Sequence, residues 1–216
     1  MTDLLTRPLV LLDLDGTISE PRVGIRNGYR AAFAAVGLPA PAVATIDSWI
    51  GPPLREAFPA LGIPASRVEG ALAAYRSVYN ETGWQENHLY PAMPHVVRTL
   101  ATRGPVALAT AKPTAIATRI LDHFGLLPHF SFVGGASDDS SRDSKAAVIA
   151  HCLERLDIGS TAAVMVGDRA GDILGAAACD IPAIGVTWGH GARSELCDAG
   201  AIEVADHPDQ LLDLLR

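Results

Sequence analysis

Two aspartates two positions apart, in Asp13-Leu14-Asp15-Gly16-Thr17, close the strand candidate Leu9–Leu14. On an extended backbone, side chains at i and i+2 point the same way, and Gly16 then lets the chain turn sharply. Such a pair can act together on one electrophile or hold a cation. Taken alone, the stretch also reads as a turn with capping carboxylates.

Three further places carry chemistry of a compatible kind. Thr110-Ala111-Lys112-Pro113 sits where a strand is expected to end and a helix to start, and a hydroxyl beside free backbone N–H groups suits a phosphate. Lys145 opens a helical pattern, on the side of the helix dipole that does not favour a cation, which hints at another duty. Gly167-Asp168-Arg169-Ala170-Gly171-Asp172 follows the apolar run Ala163–Val166, and its acids are i, i+4, on one face if a helix begins there. A helix cap, a surface lysine and a second cap are the plain readings of these three.

The elements that must position these residues are legible as well. Strand-length apolar runs at Leu9–Leu14, Val106–Thr110, Phe132–Val133, Ala163–Val166, Ala183–Val186 and Ile202–Val204 alternate with helical patterns. That alternation predicts an α/β fold, a Rossmann-like parallel sheet core covered by helices on both sides. Helical stripes are formed by Ile116, Ile120, Leu121 and Phe124, and by Val148, Ile149, Cys152, Leu153 and Leu156. Residues 20–86 differ, because helical stripes (Ile25, Tyr29, Phe33, Val36; Val68, Leu72, Tyr75, Tyr79) are separated there by Pro- and Gly-bearing joints with no convincing strand. The expected organisation is an α/β core of residues 1–19 and 87–216 with a small all-helical cap inserted at 20–86. In an open parallel sheet the C-terminal strand ends gather along one edge, where ligands bind. All four chemistry-bearing stretches lie at such ends, which raises the functional reading of each.

Composition excludes several classes. With 216 residues, 49% hydrophobic and 19% charged, the chain is too apolar for disorder and long enough for a real core. No run approaches the ~18 apolar residues of a membrane helix. A net charge of −7 without any Lys/Arg block argues against binding a nucleic-acid polymer. The three cysteines, Cys152, Cys179 and Cys197, are scattered and odd in number, as in reduced cytoplasmic proteins, and Met1-Thr2-Asp3 opens no export signal. The seven histidines have no zinc-ligand spacing, and GxSxG, Walker A and GxGxxG are absent. Asp138–Asp143 lacks the Gly and Glu of an EF-hand loop and reads as an exposed loop leading to Lys145.

In order, Asp13-Leu14-Asp15-Gly16-Thr17, Thr110, Lys145 and Gly167-Asp168…Asp172 resemble the four motifs of the haloacid dehalogenase-like phosphohydrolase superfamily. The helical insert resembles the cap of its phosphoglycolate phosphatase-like branch. Ile50-Gly51-Pro52-Pro53-Leu54 and Gly185-Val186-Thr187-Trp188-Gly189 are similar to members labelled phosphoglycolate phosphatase or 5′-nucleotidase-like. Where many relatives carry Leu-x-Asp-Ser after DxDGT, this chain has Ile18-Ser19-Glu20-Pro21.

The resemblance implies that Asp13 attacks phosphorus to form an aspartyl-phosphate, with Asp15 as acid and then base. It implies Mg2+ held by Asp13, Asp168 and the Asp15 carbonyl, with Asp172 a direct ligand or an outer orienter. Thr110, the N–H groups near Ala111, and Lys145 are implied to hold the phosphoryl oxygens. The cation and lysine have a physical reason: at ~4 Å and an effective dielectric of ~20 each unit-charge pair is worth about 4 kcal/mol, so a carboxylate meeting a phosphate dianion is strongly repelled. The cap is implied to act as a lid, with Arg55 and Arg76 candidates for a second anionic group. Trp84, Tyr75 and Tyr79 are candidates for pocket walls, the tyrosines reading equally as cap core.

The expectation is a cytoplasmic, magnesium-dependent phosphomonoesterase, a monomer or weak dimer, acting on a small phosphorylated metabolite such as 2-phosphoglycolate. The alternatives are a 5′-nucleotidase-like phosphatase, a phosphomutase, and a non-catalytic receiver-like phosphoacceptor.

Overall fold

Leu9–Leu12 (β1) is apolar on both faces, and all four residues are buried, as a strand between two helical layers must be. A computed structural model of the chain describes residues 9–137 and 142–216. The expected N-terminal reading at Met1-Thr2-Asp3 and most of the Asp138–Asp143 loop lie outside the described residues.

After β1 come the two-residue strand Ser19–Glu20 (β2), helices Arg22–Ala35 (α1), Val43–Ser48 (α2), Leu54–Ala60 (α3) and Val68–Glu81 (α4), and the two-residue strand His88–Leu89 (β3). Helix Met93–Arg103 (α5), strand Val106–Pro113 (β4), helix Thr114–His123 (α6) and strand Phe132–Ala136 (β5) follow. The chain continues with helix Lys145–Leu156 (α7), strand Ala163–Gly167 (β6), helix Ala170–Ala177 (α8) and strand Ala183–Val186 (β7). It closes with helix Arg193–Asp198 (α9), strand Glu203–Ala205 (β8) and helix Leu211–Leu214 (α10).

Among the described residues, six strands join in the order β5-β4-β1-β6-β7-β8. Every pairing is parallel. The chain builds outward from β1 to β4 and β5, then returns to the other side of β1 with β6. The ligand crevice of such a sheet lies where the direction of winding reverses, here outside the C-terminal ends of β4, β1 and β6. One face is sealed by Leu9, Leu11, Ala107, Ala109 and Met165 against Val148, Ile149 and Cys152 of α7 and Ile173 and Ala176 of α8. Each such aliphatic side chain contributes roughly 1.5–3 kcal/mol by leaving water.

The chain falls into two compact units: one of the large sheet and its helices, ending at Glu20 and resuming at Leu89, and one of Pro21–His88. In the helical unit the expected stripes are buried, with Tyr29, Phe58 and Tyr75 meeting edge to face and Tyr75 stacked on Tyr79. The tyrosines therefore form that unit's core. The two-residue strands β2 and β3, which pair where the chain leaves and re-enters the sheet unit, carried no periodic signal.

Several boundaries differ from expectation. β1 stops at Leu12, short of the expected end at Leu14, because the chain folds back from Leu14 onward. β4 runs on through Lys112 to Pro113, past the expected end at Thr110. β5 extends to Ala136 through two glycines, and β8 starts one residue later than Ile202. Among the described residues no helix is long and apolar enough to cross a membrane.

Candidate active site

Asp13 is fixed by the sheet itself, since its N–H donates to Val166 O at 3.0 Å and so continues the β1–β6 pairing one residue beyond the strand. The chain then folds back tightly: Leu14 O accepts from Ile18 N and Ser19 N, and Gly16 N donates to Ser19 O at 2.8 Å. Gly16 sits at φ +83°, and a Cβ there would fall 2.0 Å from Asp168 Oδ2. Only glycine lets this turn pass against the second acidic motif.

Asp13, Asp168 and Asp172 are all buried and can place one carboxylate oxygen each within 4.8 Å of one another. Asp168 and Asp172 do not share a helical face as expected, because α8 begins only at Ala170. Asp168 precedes the helix, where its Oδ2 accepts the His190 N–H at 2.7 Å. Asp172, in the first turn, accepts the Arg169 N–H at 3.0 Å, a favourable place for a carboxylate at a helix N-terminus. Lys145 is the first residue of α7, after Ser144, whose hydroxyl accepts the Ala147 N–H. Its Nζ lies 2.7 Å from Asp172 Oδ1, 2.9 Å from Asp13 Oδ1 and 3.0 Å from Ala109 O.

Three carboxylates against one ammonium leave the cluster electrostatically short of positive charge. Burial, then the neighbouring Asp172 and Asp13, hold the Asp168 carboxyl well above the usual carboxylate range. Burial likewise pushes Asp172 up to about 6, against the opposing pull of Lys145. Burial disfavours the Lys145 ammonium, but Asp13 and Asp172 outweigh it and raise its pKa. Asp168 Oδ1 is buried with no hydrogen-bond partner among the described residues. An all-oxygen, buried, acidic donor set with an unpartnered carboxylate oxygen fits a divalent metal ion, the kind that prefers hard oxygen ligands.

Asp15 stands apart from this cluster. Its Oδ2 pairs with Lys112 Nζ at 2.7 Å, and both side chains are largely buried. Burial raises the Asp15 carboxyl, opposed by Lys112. Thr110 is buried, and its Oγ1 accepts the Lys112 N–H at 3.2 Å. Ala111 is half-buried beside it. Arg55 and Arg76 belong to the helical unit, where both are exposed and Arg55 is paired with Glu69.

The sequence reading missed three participants. Lys112 lies beyond the strand end expected at Thr110; its signal is a buried-strand lysine inside the Thr110–Pro113 stretch. His190 donates its backbone N–H to Asp168, which any residue except proline supplies, so its identity carries no signal. Trp188 Nε1 donates to Thr17 O at 3.0 Å and ties the loop after β7 to the Asp13–Thr17 turn.

The family described as haloacid dehalogenase-like hydrolase matches residues 10–186. The chain is 40% identical over 200 residues to the tyrosine-protein kinase PtkA of Mycobacterium tuberculosis, covering 92% of this chain and 68% of that one. It is 35% identical over 191 residues to a 5′-nucleotidase of Pseudomonas aeruginosa, covering 88% and 86%. A solved structure of a predicted phosphatase from Clostridium acetobutylicum superposes with a TM-score of 0.90 at 31% identity, covering 95% of this chain and 96% of that one. Sheet order, acidic cluster and sequence agree, and the chain belongs to the haloacid dehalogenase-like hydrolases as a phosphatase of that family.

Proposed function

We propose that the protein hydrolyses phosphate monoesters of small metabolites through an aspartyl-phosphate on Asp13, with nucleoside 5′-monophosphates as the favoured substrate class. The observation that carries the chemistry is the buried Asp13, Asp168, Asp172 cluster, bridged by Lys145, with the largely buried Asp15 carboxyl paired to Lys112. The 35% identity to a 5′-nucleotidase supports the nucleotide reading ahead of 2-phosphoglycolate, which is supported by the sequence resemblance and by a phosphoglycolate phosphatase relative at 29% identity.

Asp13 attacks phosphorus with a carboxylate oxygen, and the P–O ester bond breaks with its electron pair passing to the leaving oxygen. Asp15 gives that oxygen its proton. Asp15, now ionised, takes a proton from water, whose oxygen attacks phosphorus and breaks the bond to Asp13, releasing phosphate and restoring both acids. Lys145, the Thr110 hydroxyl and the backbone N–H near Ala111 hold the phosphoryl oxygens, so geometry and charge neutralisation supply most of the rate. Asp13, Asp168 and Asp172, with the Asp15 carbonyl, would hold Mg2+, which supplies the positive charge that lets an anionic nucleophile meet an anionic ester. Arg76 and, once released from Glu69, Arg55 are proposed contacts for a second anionic group.

The test is free-phosphate release from a panel of nucleoside 5′-monophosphates, 2-phosphoglycolate and phosphotyrosine, the last because of the PtkA relative, with Mg2+ and with EDTA. Activity that needs Mg2+ and disappears in Asp13→Asn is expected. Retained activity in Asp13→Asn overturns the nucleophile. Stable phosphorylation without phosphate release marks a receiver, and phosphate returned to a sugar hydroxyl marks a mutase.

A further inference from the structure

Beside the carboxylate cluster stands the Lys112–Asp15 pair, to whose lysine the mechanism above gives no role. Lys112 is 9% exposed, and its Nζ lies 2.7 Å from Asp15 Oδ2. Its position is built in by the backbone. Pairing of β4 with β5 shifts register between Thr110 and Pro113, the kind of irregularity that re-aims a side chain at a strand end. Thr110 Oγ1 takes the Lys112 N–H, and a Cβ on the facing Gly135 would fall 2.5 Å from Lys112 O. The strand therefore closes around this lysine without room for a larger neighbour.

The two oxygens of Asp15 meet different surroundings. Oδ2 faces an ammonium, which offers only donors, so a proton on Asp15 has no acceptor there. Oδ1 is buried and has no hydrogen-bond partner among the described residues. We propose that Lys112 is a positioning residue for Asp15: it engages Oδ2, fixes the rotation of the carboxyl group, and leaves Oδ1 as the atom that delivers the proton. In this step the proton passes from Asp15 Oδ1 to the ester oxygen as the P–O bond breaks and the Asp13–P bond forms. Lys112 gains and loses nothing. The inference rests on the phosphatase reading above.

Asp15 acts as base on water in the same way for every ester. Its role as acid in the ester-cleaving step matters only when the leaving oxygen needs a proton, and kcat/KM reports that step. The experiment compares kcat and KM for the parent, Lys112→Met, Asp15→Asn and the double variant on two esters: the best alkyl phosphate of the panel, and 4-nitrophenyl phosphate, whose leaving phenolate needs little protonation. General acid catalysis contributes about 10²–10⁴-fold. Lys112→Met is expected to lose about 100-fold in kcat/KM on the alkyl ester and only a few-fold on the aryl ester. In the double variant, Lys112→Met is expected to cost nothing beyond Asp15→Asn, as for two residues working as a unit. Equal losses of kcat/KM on both esters, or losses that multiply in the double variant, overturn the proposal and make Lys112 a direct phosphate ligand. If Lys112→Met does not melt cooperatively, Lys112→Gln carries the same comparison. A parent inactive on both esters overturns the phosphatase reading and this inference with it; an active parent with the wrong pattern overturns only this inference.

Discussion

Lys145 Nζ is 2.7 Å from Asp172 Oδ1, a contact between the first residue of one helix and the first turn of the next, and it ends 2.9 Å from Asp13. One ammonium thus bridges an acid just after β1 and an acid of α8. Removing one partner of a buried charge pair costs about 3–5 kcal/mol, because the other charge stays buried and unpaired. Lys145→Met should lower metal-free stability in urea by about that amount and reduce kcat by at least ~100-fold, since the same group is assigned to the phosphoryl oxygens. A variant with unchanged urea midpoint would show that the pair is not formed in solution.

Metal and pH are linked through Asp172. Its carboxyl is raised from 3.8 to about 6 by burial first, so between those values the fold keeps a proton that the unfolded chain has released. This contribution is fully present below about pH 3.8 and is lost as pH rises through about 6, at most about 3 kcal/mol in total. Asp168 acts in the same direction. Metal-free protein should therefore lose stability between pH 5 and 7.5, and Asp172→Asn should lose less. Ligands must be deprotonated to bind metal, so Mg2+ should raise the melting temperature more at pH 7.5 than at pH 5. A magnesium shift independent of pH would count against this assignment.

Gly16→Ala should be among the most damaging single-methyl additions. The new Cβ would overlap Asp168 Oδ2 at 2.0 Å, and φ +83° is strained for alanine. A loss of about 2 kcal/mol or more in urea is expected, with Mg2+ stabilisation falling in parallel because Asp168 must move. Normal Mg2+ stabilisation would show that Asp168 is not a ligand.

Trp188→Phe removes the donor to Thr17 O while keeping the aromatic bulk. Loss of one such bond costs about 0.5–1.5 kcal/mol, with a further penalty if the carbonyl stays buried without a partner. Equilibrium unfolding is the measurement, and a neutral result would mean that the loop is held by its backbone alone.

Burial pushes the Cys152 thiol up to about 12, and the side chain is fully buried. Cys197 is exposed. The thiolate is the reactive form, so iodoacetamide at pH 8 should label Cys197 and leave Cys152 unmodified until the protein is unfolded. Mass spectrometry of native and denatured samples reads this directly.

The sequence by itself determined the alternation of strand and helix, the helical insert, and the identity of the acids, because these depend on local periodicity and on residue type. It also placed Asp13, Lys145, Asp168 and Asp172 at element ends. What it could not settle was which groups meet. Asp13 and Asp15, two residues apart, look like a pair, yet the chain turns at Gly16; Asp13 joins acids from the far end of the sequence, and Asp15 turns to Lys112. Lys112 came into reach only through the extension and register shift of β4, and His190 contributes a backbone N–H that no side-chain pattern marks. Spacing along a chain fixes direction only while the backbone stays regular. At a strand's C-terminal end the regularity stops, and the parallel sheet, by bringing β4, β1 and β6 side by side, decides the partners.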